Sequence, residues 1–241
     1  RAIRNNVEIW VAGTAAQPAG VTFPSGDCRN GVRTQITDTQ ANYLADQFQN
    51  NILPKESAAF SVAPDRDGTN AVVTPPNYNP SGPGQRTVVL VDNVRDDNYY
   101  DPNNGQGLSY IAGFFSSQLN AIFDRNVMTI DGFDWLHRTG ATPPNEPVAN
   151  NNCTSAPARP FLYEGVFAHE YQHLLESYED NDEVNWINEG LSDWAQTLTG
   201  YVDTIKPITD LGFDSHIQCF LGYLSQQTPA NPNPRAASGP E

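Results

Sequence analysis

Residues 169–193 read HEYQHLLESYEDNDEVNWINEGLSD. No other stretch restricts the fold as much. His169 and His173 stand four apart, a spacing that puts both side chains on one helix face with Cβ atoms about 5–6 Å apart. The polar, acidic YEDNDE segment that follows reads as a chain reversal. A second helical pattern carries Glu189, sixteen residues past His173. An antiparallel helix pair would therefore return Glu189 to the side of the two histidines.

Those residue types in that order suit one divalent cation. Zinc takes neutral imidazole nitrogen, and a catalytic zinc keeps three protein ligands and one open position. Glu170 is rotated by about 100° from the His169 axis. It falls outside the ligand set but within reach of a metal-bound water, where a general base is needed. Beyond His169 and His173 the chain holds two histidines, His137 and His216, so a carboxylate, Glu189, is the natural third ligand. Asp193 lies one turn further on the same face, placed to accept the second ring N–H of a ligating histidine. The competing reading is an acidic, solvated helix that contains two histidines. Five residues in register favour the metal.

HEYQH followed by NEGLSD resembles the gluzincin class of zinc metallopeptidases, of which thermolysin is a distant member. HEYQHLLESY with WINEGLSDWAQ is more similar to the hyicolysin-like and immune-inhibitor-A-like secreted bacterial peptidases. The resemblance covers about residues 161–201. It implies zinc ligands at His169, His173 and Glu189, a general base at Glu170 and support from Asp193. It also implies a zincin-like fold, in which a mixed sheet packs on the active-site helix, a helical C-terminal part follows, and an edge strand receives extended substrate. Two departures stand out. The interval from His173 to Glu189 is shorter than in thermolysin, and no motif anchors an oxyanion-stabilising side chain. His216 is the catalytic candidate for that role, with Tyr178 and Tyr201 as alternatives. The activity implied is endopeptidase hydrolysis of protein or peptide substrates by a metal-activated water.

The rest of the chain is read by pattern. VEIWVAG (7–13), TVVLVDNV (87–94), YIAGFFSS (110–117) and the start of NVMTIDGFDWL read as strands. TQITDTQANYLADQFQNNILP reads as a helix capped by Asp38 and stopped by Pro54. Residues 64–86 and 139–160 read as loops. Residues 161–178, 186–199 and 213–224 read as helices, the second packed on the first through Trp186, Leu191, Trp194 and Leu198. Strands first and helices after argue for an α+β fold. Residues 1–227 form one catalytic domain, and 228–241 a linker-like tail.

Composition sets the surroundings. The formal net charge is −15, with lysine only at Lys55 and Lys206. Such a surface repels phosphate backbones, which argues against nucleic acid as a partner. Acidic loops offer oxygen ligands to calcium. PDRDGTN, DNVRDDNYYD and YEDNDE are the candidates, against the plainer reading of solvated turns. No apolar run is long enough to span a membrane. The chain starts at Arg1 without Met, in the manner of a processed secreted product, and a monomer is expected. Three cysteines are present. Cys28 and Cys153 lie in polar loops and could pair, while Cys219 sits in an apolar run as a small hydrophobe. His137 reads as an ordinary core or surface histidine. The rival function is a catalytically inactive, calcium-stabilised binding or adhesion module on the same scaffold.

Overall fold

A computed structural model describes residues 1–13, 23–31, 35–73, 82–100, 110–147, 156–203 and 205–207. The element order is β1 (Ala2–Ile3), β2 (Val7–Val11), α1 (Asp38–Gln47), a π-helical turn (Phe48–Ile52), α2 (Leu53–Ala59), β3 (Thr87–Asp92), α3 (Asp97–Tyr100), β4 (Gly113–Phe115), α4 (Ser117–Phe123), β5 (Val127–Asp131), α5 (Trp135–Arg138), α6 (Leu162–Glu179) and α7 (Asn185–Thr199). The architecture is mixed α and β. Five strands form one sheet in the order β1-β2-β3-β5-β4.

Strand direction departs from the strands-then-helices expectation. β2, β3 and β5 are mutually parallel, and only the outer β1 and β4 run antiparallel. Parallel neighbours need a long crossover, and α1 through α2 supply it between β2 and β3. The helix boundaries differ as well. Thr37, not Asp38, caps α1, in a reciprocal capping box with Gln40. Pro54 does not end the helix. The chain widens into the π turn, and Pro54 enters the first turn of α2. Leu53 N–H still donates to Phe48 O, five residues back, and Pro54, which has no N–H to donate, takes the next place.

The helix-facing side of the sheet is built in rows by register. Ile9, Val89, Met128 and Phe115 are successive partners, as are Val11, Val91, Ile130 and Gly113. Phe48, Phe167, Tyr171 and Leu174 complete the core against these rows. Phe48 stacks on Phe167 at 4.8 Å and meets Tyr171 edge-on at 4.9 Å. The second row ends in a glycine for a reason. A Cβ at Gly113 would lie 2.5 Å from Val166 Cγ1 and 3.4 Å from Glu170 Cγ. The absent side chain lets α6 lie directly against the edge strand and brings Glu170 beside it.

His137 is fully buried, which agrees with the core reading. The His216 position, the helix expected at 213–224, the tail 228–241 and Cys153 and Cys219 lie outside the described residues. Cys28 is disulfide-bonded. Among the described residues, no helix is long and apolar enough to cross a membrane.

Candidate metal centre

α6 carries a dual pattern. Phe167, Ala168, Tyr171, Leu174 and Leu175 are buried toward the core. His169, Gln172 and His173 lie on the side that meets α7. On α7, Glu189, Ser192, Asp193 and Gln196 recur at helical spacing and form one polar stripe. The two stripes approach closely because Gly165 is small. A Cβ there would sit 2.8 Å from Gln196 Oε1. Of the four apolar residues expected to pack α7, Leu191 and Leu198 are half-buried, but the two tryptophans are exposed. Trp186 is 76% exposed, and Trp194 is 48% exposed with its ring edge-on to Phe60, just past α2, at 5.5 Å. The residues of α7 that are fully buried are small, namely Ser192, Ala195 and Thr199.

The sequence-predicted ligands converge. His169 Nε2 and His173 Nε2 are 3.0 Å apart. Glu189 Oε2 lies 3.3 Å from the first and 3.6 Å from the second. Among the described residues, these three form the one group of His, Cys, Asp or Glu able to hold a metal ion. Asp193 Oδ1 is 3.2 Å from His169 Nδ1, the contact expected of it, and also accepts Gln196 Nε2 at 3.1 Å. Glu170 is 8% exposed and absent from the converging set.

Sequence reasoning missed Ser192 and Gln172. Ser192 Oγ is 3.0 Å from His173 Nδ1 and donates to either Gln172 Oε1 or Asn188 O. With its hydrogen so used, the hydroxyl accepts the Nδ1–H of His173. The signal was present in NEGLSD, where Ser192 sits three residues after Glu189 on the same face. Gln172 gave no comparable sign.

These partners fix the tautomers. An ionised Asp193 only accepts, so His169 carries its hydrogen on Nδ1. His173 does the same toward Ser192. Both Nε2 lone pairs then point into the space shared with the Glu189 carboxylate. With the ring hydrogens on Nδ1 alone, three acceptors would face one another and repel, and either a proton or a metal cation between them removes the repulsion. The donor set of two imidazole nitrogens and one carboxylate oxygen fits zinc.

The electrostatics agree. Burial opposes the protonation of His169, but hydrogen bonds to Asp193 and Glu189 outweigh it and raise the pKa to about 10. Hydrogen bonds from His169 and His173 hold Glu189 well below the usual carboxylate range. Protons thus occupy the place that suits a metal ion, and the two compete. Burial raises the pKa of Glu170, with His169 and His173 acting against it.

The remaining candidates are placed elsewhere. The Tyr178 hydroxyl donates to Asn126 Oδ1 at 2.6 Å, and the Tyr201 hydroxyl to Gln47 Oε1 at 3.0 Å. In the PDRDGTN loop, Asp67 Oδ1 accepts the Thr69 amide at 3.0 Å. In YEDNDE, Asp180 Oδ1 accepts the Asp182 amide at 3.0 Å. Both are Asx-type turns. No known family model matches the chain, and no curated protein matches it either.

Proposed function

We propose that this protein is a zinc-dependent endopeptidase of the gluzincin type, similar in its site to hyicolysin-like and immune-inhibitor-A-like secreted bacterial peptidases. The observation that carries the reading is the convergence of His169 Nε2, His173 Nε2 and Glu189 Oε2 within 3.0–3.6 Å. Each imidazole is held from behind by its own acceptor, and a buried carboxylate stands alongside. The mixed sheet, with antiparallel β4 at its edge and α6 against it, supports a zincin-like arrangement. Among the described residues β4 is paired on one side only, so an extended peptide can add to its other edge through main-chain hydrogen bonds.

His169, His173 and Glu189 would hold the ion, with Asp193 and Ser192 keeping the imidazoles oriented. Bound zinc supplies a Lewis acid and acidifies water. Glu170 takes a proton from the attacking water and passes it to the leaving amine. Its burial moves its pKa upward, toward the working range of a general base. Water attacks directly, so no acyl-enzyme forms. Secretion fits the disulfide at Cys28, because such bonds persist in oxidising compartments.

The test combines metal analysis with casein cleavage. One zinc per chain is expected, with hydrolysis lost to a chelator and restored by zinc. Glu170→Gln should keep the zinc and lower turnover by about 10²–10⁴-fold. Turnover unchanged in that variant overturns the reading of the base.

A further inference from the structure

A cavity of about 250 Å³ opens on one flank of the cluster. His173 and Glu189 form part of its wall, whereas His169 and Asp193 do not. The cavity therefore serves one side of whatever bond is positioned at the cluster. Phe115, at the end of the edge strand, is its one apolar wall. Ser177, Asp180, Asn181 and Asn188 supply the rest.

Ser177 and Asp180 are biased toward acceptance, while the Asn181 and Asn188 amides can donate as well as accept. Ser177 Oγ donates its only hydrogen to Leu174 O at 2.8 Å, which leaves lone pairs for the cavity. Asp180 Oδ1 accepts the Asp182 amide, and Oδ2 has no partner among the described residues. Lys and Arg side chains are cationic and donate without accepting, with three and five N–H donors. Their methylene stems pack on an aromatic wall while the charged head reaches polar groups. Among the described residues, no lysine or arginine lines the cavity.

Resting on the peptidase reading, we infer that this cavity is a specificity subsite for a lysine or arginine next to the scissile bond, with Asp180 as its charged determinant. The enzyme then cuts basic segments of proteins, and the basic residue stands on one fixed side of the cleavage point.

The experiment digests a proteome-derived peptide library with the zinc-loaded full chain and reads the cleavage sites by mass spectrometry. Lys and Arg should be enriched at a single flanking position. For a matched peptide pair differing there as Lys against Gln, kcat/KM should favour Lys by about five- to tenfold, the scale of a partly exposed charge-assisted contact. Asp180→Asn keeps an acceptor for the Asp182 amide and should bring the ratio close to one. Asp182→Asn, on the same turn but outside the cavity, should keep the wild-type ratio. Zinc content and thermal melting of both variants report on folding. Cleavage without basic enrichment, or enrichment that survives Asp180→Asn in folded protein, overturns the inference and leaves the peptidase reading standing. If the zinc-loaded wild type cleaves no peptide at all, the peptidase reading fails and the subsite falls with it.

Discussion

Two histidine sites in this molecule use the same residue types to opposite ends. His137 is fully buried, with Nδ1 2.6 Å from Asp134 Oδ1 and Nε2 3.0 Å from Glu146 Oε2. Each ring nitrogen has its own carboxylate, so neither is left for a third party. The result is a fastener. The His137 carbonyl accepts the Arg159 amide at 2.8 Å, and Glu146 exchanges backbone hydrogen bonds with Ala156. Together they tie down the chain that leads into α6. At the α6–α7 seam Asp193 and Ser192 sit at the Nδ1 atoms, and the two Nε2 atoms face each other and share the one Glu189 carboxylate. A histidine set between two separate carboxylates holds the fold, whereas two histidines that converge on one carboxylate leave a point where a cation fits.

The largest expected effect separates the two sites outright. His173→Ala should reduce zinc affinity by more than the 10–100-fold typical of an outer partner, and abolish hydrolysis, without lowering the melting temperature of the metal-free protein. His137→Ala should do the reverse. It leaves the Asp134 carboxylate buried without that donor, which costs about 1–3 kcal/mol, while zinc stoichiometry stays at one. Metal analysis and urea denaturation of both variants check this. Zinc lost from the His137 variant without unfolding would erase the distinction.

Smaller changes grade the seam itself. Asp193→Asn and Ser192→Ala should each weaken zinc binding by about 10–100-fold. Asp193→Asn should do so by more, because a charged acceptor strengthens a ligand more than a hydroxyl does. Competition with a chromophoric chelator measures both.

Glu56 extends the comparison to a group with no hydrogen-bond partner among the described residues. It is fully buried in α2, and both carboxylate oxygens lack a hydrogen bond. Burial holds its pKa well above 4.5, and only His169 acts against that. The folded state therefore keeps the proton after the unfolded chain has lost it. Stability is full below about pH 4.5 and declines as pH rises toward the folded pKa. Glu56→Gln cannot ionise, so it should flatten this slope and gain about 1–3 kcal/mol at mildly alkaline pH. Denaturation of both proteins from pH 4 to pH 9 reads it, and parallel stability curves would contradict it.

The site was legible where backbone periodicity dictates position. Four-residue spacing on a helix puts His169 beside His173, and an acidic turn returns Glu189 and Asp193 to them. The helices at 162–179 and 185–199 fall within a residue of their expected bounds. What escaped depends on contacts between segments. The exposure of Trp186 follows from α7 turning its polar stripe inward, which an apolar count does not reveal. The parallel pairing of β2, β3 and β5 depends on the crossover through α1 and α2. Pro54 was misread as a stop because the π turn that accommodates it leaves no mark in the local pattern. The short helices α3, α4 and α5 are fixed by packing more than by periodicity.

The most direct measurement is anomalous scattering at the zinc edge on a crystal of the zinc-loaded chain. The account predicts one strong peak between the two imidazoles and the Glu189 carboxylate, about 2.0–2.1 Å from His169 Nε2 and His173 Nε2. A crystal with no peak there, or with zinc bound only to other residues, would contradict it.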